Sequence, residues 1–340
     1  MKDRTIVALD AMGGDHAPGE VVKGAVKAVL ERTELVVKLI GSKDAIEKEL
    51  EKYSYPKDQI FVIHASEKIE TAESPVIAIR SKKNSSIVIG MNMVKHDEAH
   101  AFVSAGNSGA ILVGGQLIVG RIKGVERTPL APLMPTEKGV SLLIDCGANV
   151  DARASHLVQF AKMGTIYMES VIGKKKPTVA IVNIGAEEEK GNQLVKDTFP
   201  LLKACKDIHF IGSIEAREIP RGYADIVLCE AFVGNVILKL YEGMGSTLIG
   251  MIKAGMLTNL RSKIGALLVK PALKKTLGAF DATKYGGAPL LGLKGLVVKT
   301  HGNATEKEIK NSLIQCITFN EQNISDQIKE SFKGDKDNGI

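Results

Sequence analysis

The feature of this sequence that most restricts its fold is a repeated alternation of short apolar runs with helical segments. Eight runs rich in β-branched residues each end in a polar or glycine-rich turn and lead into a helical pattern: "TIVALD", "ELVVKLIGS", "IFVIHAS", "AFVSAG", "VSLLIDCG", "TVAIVNIG", "IHFIGS" and "DIVLCE". A later run, "GLVVKTHG", precedes a polar segment at 306–332 that we predict to be one closing helix. Strands alternating with helices form a mainly parallel sheet covered on both faces. We therefore predict a doubly wound α/β fold in a single large domain, residues 1–340.

One segment departs from this alternation. Residues 234–280 keep a helical pattern with no strand between, which predicts a helical excursion from the sheet. Five apolar residues recur there near helical spacing: Leu257, Leu260, Ile264, Leu267 and Leu268. No acid lies between Glu242 and Asp281, whereas six residues are basic: Lys253, Arg261, Lys263, Lys270, Lys274 and Lys275. An apolar helix face flanked by cations is typical of contact with an anionic membrane surface. A helical hairpin packed against a second copy of the chain would bury the same leucines, and both interpretations stay open.

Charge and composition narrow the class of partner. A net charge of +6 favours an anionic partner, but aromatic residues make up only 4% and Trp is absent, which argues against stacking on nucleobases. The four cysteines are scattered without CxxC spacing, and the start "MKDRTIVALD" has no signal-peptide pattern. We therefore expect a cytoplasmic protein that binds no nucleic acid.

Residues 101–120 form an uncharged run about as long as a membrane span. The glycines, serines, Asn107 and Gln116 within it favour a buried strand, a polar turn and a buried helix instead.

The polar residues of the chain collect in the turns that follow the predicted strands. These turns contain Asp10, Gly13, Gly14, Asp15 and His16; Ser104, Gly106, Asn107, Ser108 and Gly109; Asp145, Gly147, Asn149 and Asp151; Asn183 and Gly185; Gly234 and Asn235; and His301 and Gly302. Ligands of open parallel sheets bind outside the carboxyl ends of the strands, so we expect these residues to share one edge.

The turn "SAGNSG" is the strongest candidate for an anion site, because free N–H groups at a helix start bind phosphate. Simple capping of that helix by Asn and Ser is the alternative. Neither a Walker A motif nor GxGxxG occurs, so the predicted ligand is a small anion rather than a nucleotide. Lys190 in "EEEKGN" and Lys83 in "RSKKNSS" are candidate cations, although Lys83 also fits a solvated face.

Histidines suggest no metal site. "HDEAH" places His96 and His100 four apart, but the segment precedes a strand and lacks a third ligand, so we predict neither metal nor cofactor. His16 and His301 are either substrate-binding or hydrogen-bonded residues of the sheet edge.

Ten motifs in sequence order resemble the bacterial phosphate acyltransferases called PlsX: "DAMGGDHAP", "KKNSS", "SAGNSGA", "GRIKGVERTPLAP", "DCGANVD", "HLVQFAKMG", "EEEKGN", "FIGSIEAR", "FVGNVILK" and "YGGAPLLGLKG". The resemblance implies a fold similar to isopropylmalate dehydrogenases and phosphotransacetylases. It also implies transfer of a long acyl chain from acyl carrier protein to inorganic phosphate, in a homodimer at the membrane surface. The acyl phosphate would serve phospholipid synthesis through a downstream glycerol-3-phosphate acyltransferase.

On that resemblance we predict Lys190 as the chief phosphate cation, the turn 104–109 as an N–H cradle, and Asn183 or Asn235 as donors to the thioester oxyanion. Asp10 would orient a neighbouring group, and Gly13 and Gly14 would give room for substrate. The chain departs from the family at "EAFVGN", where an Asp-Gly pair is expected in place of Glu230 and Ala231.

Two other functions remain open at this point. A nicotinamide-dependent hydroxy-acid dehydrogenase on the similar fold would need a divalent metal held by clustered aspartates, for which Asp145 and Asp151 are available. A membrane scaffold without catalytic activity is the third hypothesis, but it would have no use for the polar turns.

Overall fold

The computed structural model describes residues 4–333 of the chain. Its strands are β1 (Thr5–Asp10), β2 (Leu35–Gly41), β3 (Ile60–His64), β4 (Ala101–Ser104), β5 (Leu133–Thr136), β6 (Gly139–Ile144), β7 (Thr178–Val182), β8 (His209–Ile214), β9 (Ile226–Leu228), β10 (Ala288–Leu290) and β11 (Leu296–Lys299).

The helices alternate with these strands over most of the chain. They are α1 (Gly19–Glu31), α2 (Lys43–Leu50), α3 (Pro75–Ser81), α4 (Ser86–Lys95), α5 (Ser108–Gly114), α6 (Ala154–Ser170), α7 (Gln193–Ala204), α8 (Ala231–Met256), α9 (Leu260–Ala279), α10 (Glu306–Glu321) and α11 (Ile324–Ser331). A π-helical turn at Gly115–Val119 extends α5, and short 3-10 turns occupy Ala216–Arg221 and Ala282–Tyr285.

The chain forms two compact units. Unit 1 comprises the chain up to Pro132, Lys162–Lys175 and the chain from Thr283 onward, and its six strands lie in the order β10-β11-β4-β1-β2-β3. All its strand pairs are parallel except β10 with β11. Ala8 and Phe102 belong to an apolar core shared with α4 and α5. Val7 and Leu9 point to the opposite face and are equally buried, so both faces of this sheet are covered.

Unit 2 comprises Leu133–Ala161 and Lys176–Ala282, and its five strands lie in the order β5-β6-β9-β7-β8. The pairs β6 with β9, β9 with β7 and β7 with β8 are parallel, and β5 runs antiparallel to β6. Leu142, Leu143 and Ile144 are fully buried in succession, which is the pattern of a strand covered on both faces.

The α/β class with mainly parallel strands is confirmed, and the nine predicted strands are all present. The strands divide into two sheets, so the polar turns follow two carboxyl edges rather than the single edge that we expected. The prediction of one large domain over residues 1–340 stays a prediction.

The sequence pattern did not predict two of the strands or the break in the predicted closing helix. β5 and β10 are short antiparallel strands at the sheet edges, and each contains a proline, Pro135 or Pro289. Proline cannot donate to a strand ladder and therefore favours such edges. The single closing helix predicted at 306–332 was wrong: it divides into α10 and α11 at Asn323, whose φ of 50° is left-handed.

The uncharged run 101–120 forms β4, a turn, α5 and the π-helical turn, as predicted. Over the part of the chain that the structure describes, no helix combines the length and apolar character required to cross a bilayer. The segment predicted as a helical excursion is helical throughout apart from the turn between α8 and α9, where Asn259 Oδ1 accepts a hydrogen bond from Ser262 N at 2.9 Å.

Candidate active site

Two neighbouring turns of unit 1 are joined by a buried hydrogen-bond chain. Ser104, the last residue of β4, donates its hydroxyl to Asp10 Oδ2 at 2.6 Å and accepts the Gly106 N–H at 3.0 Å. The other carboxylate oxygen of Asp10 accepts the Met12 N–H at 3.1 Å. Because Asp10 and Ser104 are both buried, these groups have already exchanged water for protein partners. Asp10 thus fixes the orientation of the Ser104 hydroxyl, which in turn supports the turn after β4.

The glycine pair after β1 lies against other backbone of unit 1. A Cβ on Gly13 would lie 2.4 Å from Asp10 Oδ2 and 2.7 Å from Gly106 N. Gly14 has φ of +95°, and a Cβ there would lie 2.9 Å from both Ala105 Cβ and Gly302 O. Both positions thus require glycine for close packing of the turns and, at Gly14, for a left-handed backbone.

The first turn of α5 is capped by a side chain, and two of its backbone N–H groups have no acceptor among the described residues. Asn107 Oδ1 accepts the Ala110 N–H at 2.9 Å, and its amide nitrogen donates to the carbonyl oxygens of Glu70, Thr71 and Glu73. The Ser108 and Gly109 N–H groups precede the first intrahelical bond, and no acceptor for either occurs among the described residues. Asn107 is therefore a cap and a loop anchor, while Ser108 and Gly109 are the remaining donors.

The other unit 1 candidates lie at the protein surface. Lys83 is exposed and donates to the Ile79 carbonyl oxygen at 3.2 Å, which supports the solvated interpretation of this lysine. His16 and His301 are both exposed. The His301 N–H donates to Glu308 Oε1 at 2.9 Å, so the buried Glu308, which the sequence analysis missed, fixes the turn after β11.

In unit 2, the turn after β6 is organised by Asp145. Its fully buried carboxylate accepts the N–H groups of Gly147, Ala148 and Asn149 at 2.8–3.2 Å and the Asn149 side-chain amide at 2.8 Å. At least four donors therefore satisfy Asp145, and its role in this structure is to shape the turn. Asn149 is tied to the same carboxylate.

The turn after β7 places Lys190 over a glycine. The Asn183 amide donates to the Lys190 carbonyl oxygen at 3.2 Å and to Ser213 Oγ at 3.1 Å, which closes the turn into a loop. A Cβ on Gly185 would lie 2.6 Å from Lys190 Cδ and 3.1 Å from Lys190 Nζ. Gly185 thus makes room for the Lys190 side chain. Both amide hydrogens of Asn183 are therefore engaged, one by the turn and one by Ser213 of β8.

Lys190 is paired with an acid three residues earlier. Its Nζ lies 2.8 Å from Glu187 Oε1, and the two side chains are 47% and 50% exposed. The hydrogen bond with Glu187 is the largest cause that raises the pKa of Lys190, and the same bond lowers the pKa of Glu187. Glu187 is a site residue that the sequence analysis missed, since the two residues lie in a turn, where a spacing of three does not by itself predict contact.

The start of α8 packs against the Asp145 turn. Glu230 accepts the N–H groups of Phe232 at 2.6 Å and Val233 at 2.9 Å, so the longer side chain at the departing position still caps the helix. A Cβ on Gly234 would lie 1.9 Å from the Asp145 carbonyl oxygen. Asn235, one position later, is half-buried, and no partner of its side-chain amide occurs among the described residues.

The structure therefore brings together two groups of predicted residues, one in each unit. The group of unit 1 is Asp10, Gly13, Gly14, Ser104, Gly106 and Asn107, in contact through the turns after β1 and β4. The group of unit 2 contains two contacting sets, Asp145 with Asn149 and Gly234, and Asn183 with Gly185 and Lys190. Across the described residues, no group of three or more His, Cys, Asp and Glu side chains has the arrangement of a metal site.

The sequence is similar to known proteins along almost all of its length. A family model described as "Fatty acid synthesis protein" matches residues 5–327. A phosphate acyltransferase from Alkaliphilus oremlandii (strain OhILAs) is 51% identical over 326 residues, which are 95% of this chain and 96% of that protein. A phosphate acyltransferase from Clostridium botulinum (strain Alaska E43 / Type E3) is 49% identical over 328 residues, 96% of this chain and 98% of that protein.

Solved structures share the fold at low sequence identity. A phosphotransacetylase from Streptococcus pyogenes aligns with a TM-score of 0.61 at 16% identity and covers 93% of this chain and 94% of its own. A branched-chain phosphotransacylase from Enterococcus faecalis V583 aligns with a TM-score of 0.52 at 14% identity, over 92% of this chain and 98% of its own. The predicted likeness to the phosphotransacetylase fold is confirmed.

Proposed function

The chain belongs to the phosphate acyltransferase family, and on that premise we propose that it transfers a fatty acyl group from acyl carrier protein to inorganic phosphate. Membership makes it an acyltransferase; the donor and its place in phospholipid synthesis are the proposal. The observation that best supports the proposal is the turn after β7, in which Asn183 holds the loop, Gly185 leaves space, and Lys190 presents an ammonium group. An ammonium group that is about half exposed can form a charge-assisted contact with a small anion.

The proposed reaction requires little from the protein besides binding and charge stabilisation. A phosphate oxygen attacks the thioester carbonyl carbon, the carbonyl oxygen becomes an oxyanion, and the carbon–sulfur bond then breaks to release the thiolate of the carrier. Phosphate near neutral pH is already largely a dianion, so no strong base is needed. Orientation of the dianion and hydrogen bonds to the oxyanion provide the rate enhancement.

Residue roles follow from the charge of each candidate and from the hydrogen-bond partners that it already has. Lys190 binds the phosphate dianion through a charge-assisted contact. Of the two predicted oxyanion donors, Asn183 already donates both amide hydrogens, to the Lys190 carbonyl oxygen and to Ser213 Oγ, whereas the Asn235 amide has no partner among the described residues. We assign the oxyanion contact to Asn235. The Ser108 and Gly109 N–H groups of unit 1 are proposed as a further anion-binding element.

Partners and location extend the same proposal. The net charge of +6 suits an acidic carrier protein, because complementary charge speeds encounter. An acyl phosphate is amphiphilic, so delivery at the inner face of the cell membrane to a glycerol-3-phosphate acyltransferase is consistent with a peripheral cytoplasmic enzyme. Leu257, Leu260, Ile264, Leu267 and Leu268 are all exposed, as membrane contact or a homodimer interface requires. The Lys275 side chain lies outside the described residues.

The test is release of the carrier thiol from purified protein with palmitoyl-acyl carrier protein, with and without phosphate. We expect thiol release that depends on phosphate and saturates with it. Thiol release at the same rate without phosphate would identify a thioesterase and contradict the proposal. A parallel assay with NAD, Mg²⁺ and hydroxy acids tests the dehydrogenase alternative, which the family assignment disfavours and for which Asp145 is already engaged by its turn.

A further inference from the structure

The Lys190–Glu187 ion pair is a contact that phosphate binding would have to change, and the inference drawn from it rests on the proposed function. Lys190 Nζ lies 2.8 Å from Glu187 Oε1. A Cβ on Gly185 would lie within 3.1 Å of Lys190 Nζ and 2.8 Å of Glu187 Oε2. Both charged groups therefore fold back over the same glycine, and the ammonium is directed toward the carboxylate.

We propose that Glu187 is a positioning residue that holds the Lys190 ammonium while the phosphate site is empty, and that the arriving phosphate dianion displaces it. Glu187 thereby sets the affinity for phosphate. It competes for the one lysine of the turn and does not take part in acyl transfer.

A comparison of two electrostatic free energies favours displacement of Glu187 over an ammonium group shared by Glu187 and phosphate. If the carboxylate and the dianion both contacted one ammonium, they would lie on the order of 5 Å apart, and their repulsion even in water would weaken binding roughly fifteenfold. Breaking an ion pair that is about half exposed costs at most roughly fivefold in an equilibrium constant. Release of Glu187 therefore costs less free energy than keeping its carboxylate beside the bound phosphate.

The acids around Lys190 provide a matched control. Glu187 is the main partner, and Glu215 and Glu189 act on Lys190 only through their charge. Glu188 is paired instead with Lys203, at 2.9 Å, and both of those side chains are strongly exposed. Glu187→Gln and Glu188→Gln therefore make the same change of net charge in adjacent residues, but only the first removes the partner of Lys190.

The experiment measures the KM for phosphate of the parent, E187Q and E188Q with palmitoyl-acyl carrier protein at saturation. We expect the KM for phosphate to fall about two- to fivefold in E187Q. E188Q should stay within about 1.5-fold of the parent, because its carboxylate does not hold Lys190. In a K190A background, E187Q should have almost no effect, since a double-mutant cycle isolates the pair.

Three results would overturn the proposal: an unchanged or higher KM in E187Q, an equal fall in E188Q, or an effect of E187Q that persists without Lys190. Titration calorimetry with inorganic phosphate alone gives the same comparison without turnover. A parent that binds phosphate but makes no acyl phosphate would contradict the proposed function, whereas the ratio between E187Q and the parent tests the role of Glu187.

Discussion

Most polar side chains of the candidate site form hydrogen bonds that shape the turns in which they lie. Asp10 and Ser104 satisfy each other in unit 1, and Asp145 takes up four donors within its turn in unit 2. A buried carboxylate with these partners is costly to disturb, because removal of one partner leaves the other desolvated and unpaired. Such residues fix the backbone, whereas Lys190 is about half exposed in its pair with Glu187 and the half-buried Asn235 has no side-chain partner among the described residues.

Lys190→Ala should therefore lower the kcat/KM for phosphate by about ten- to a hundredfold, since a charge-assisted contact contributes roughly 1.5–3 kcal/mol. The melting temperature should barely change, because the Lys190–Glu187 pair is exposed. Steady-state kinetics with varied phosphate check the expectation. Lys203→Ala, which removes a more exposed lysine of unit 2 that is also paired with a glutamate, is the control. Activity of Lys190→Ala within twofold of the parent would refute the assigned role.

Sequence reasoning located these turns but not the function of each side chain. Gly13 and Gly14 were predicted to give room for substrate, and the structure places protein atoms where their side chains would go. The sequence does not show which turn a glycine faces, because that depends on how strands are ordered in the sheet. Glu187 was overlooked for a similar reason: an acidic run usually lies in solvent, and only the fold of the loop brings this carboxylate to Lys190.

At the scale of elements, α8 shows how a departure from the family pattern is accommodated. The Glu230 carboxylate reaches two N–H groups of the first turn, Phe232 and Val233, and so performs the task of a shorter capping residue. Gly234 then permits the helix start to approach the Asp145 carbonyl oxygen. With Glu at position 230, the first turn of α8 is therefore capped by a side chain.

Glu230→Ala should lower the free energy of unfolding by about 0.5–2 kcal/mol, since it removes the cap of α8. Chemical denaturation monitored by circular dichroism measures the change. Glu51→Ala, at an exposed acid that follows α2, should have almost no effect. If Glu230→Ala is as stable as the parent, the carboxylate is not needed as a cap.

The hairpin α8–α9 carries the prediction of membrane contact. Leu260, Ile264, Leu267 and Leu268 lie on one face of α9 by their spacing, and each is 57–77% exposed. The double variant Leu260→Glu with Leu267→Glu should no longer co-sediment with anionic vesicles. It should not bind neutral vesicles either. Leu30→Glu with Ile77→Glu, which adds the same charge at exposed apolar residues of α1 and α3, should still bind.

Equal binding of the hairpin variant and the parent to anionic vesicles would exclude this face from the interface with lipid. Size-exclusion chromatography of the same variants separates the two interpretations of the exposed leucines. Loss of vesicle binding with an unchanged oligomeric state assigns the face to lipid, whereas a change of oligomeric state assigns it to a second copy of the chain.

At the scale of the whole molecule, the alternating pattern was sufficient to predict the α/β class and its parallel strands. It did not reveal that the strands divide into two sheets, because a strand buried on both faces has the same sequence pattern in either sheet. Nor did it detect β5 and β10, whose few residues and prolines resemble loops. The assignment of an acyltransferase depends instead on motifs spread over both units and on the similarity of nearly the whole chain to its relatives.

The most direct test of the central claim follows the atoms of phosphate. The purified protein is incubated with palmitoyl-acyl carrier protein and phosphate labelled in every oxygen with oxygen-18, and the products are analysed by mass spectrometry. The account predicts palmitoyl phosphate that keeps every labelled oxygen, because the new bond joins a phosphate oxygen to the carbonyl carbon and no phosphorus–oxygen bond breaks. Absence of palmitoyl phosphate, with release of palmitate containing oxygen from water, would contradict it.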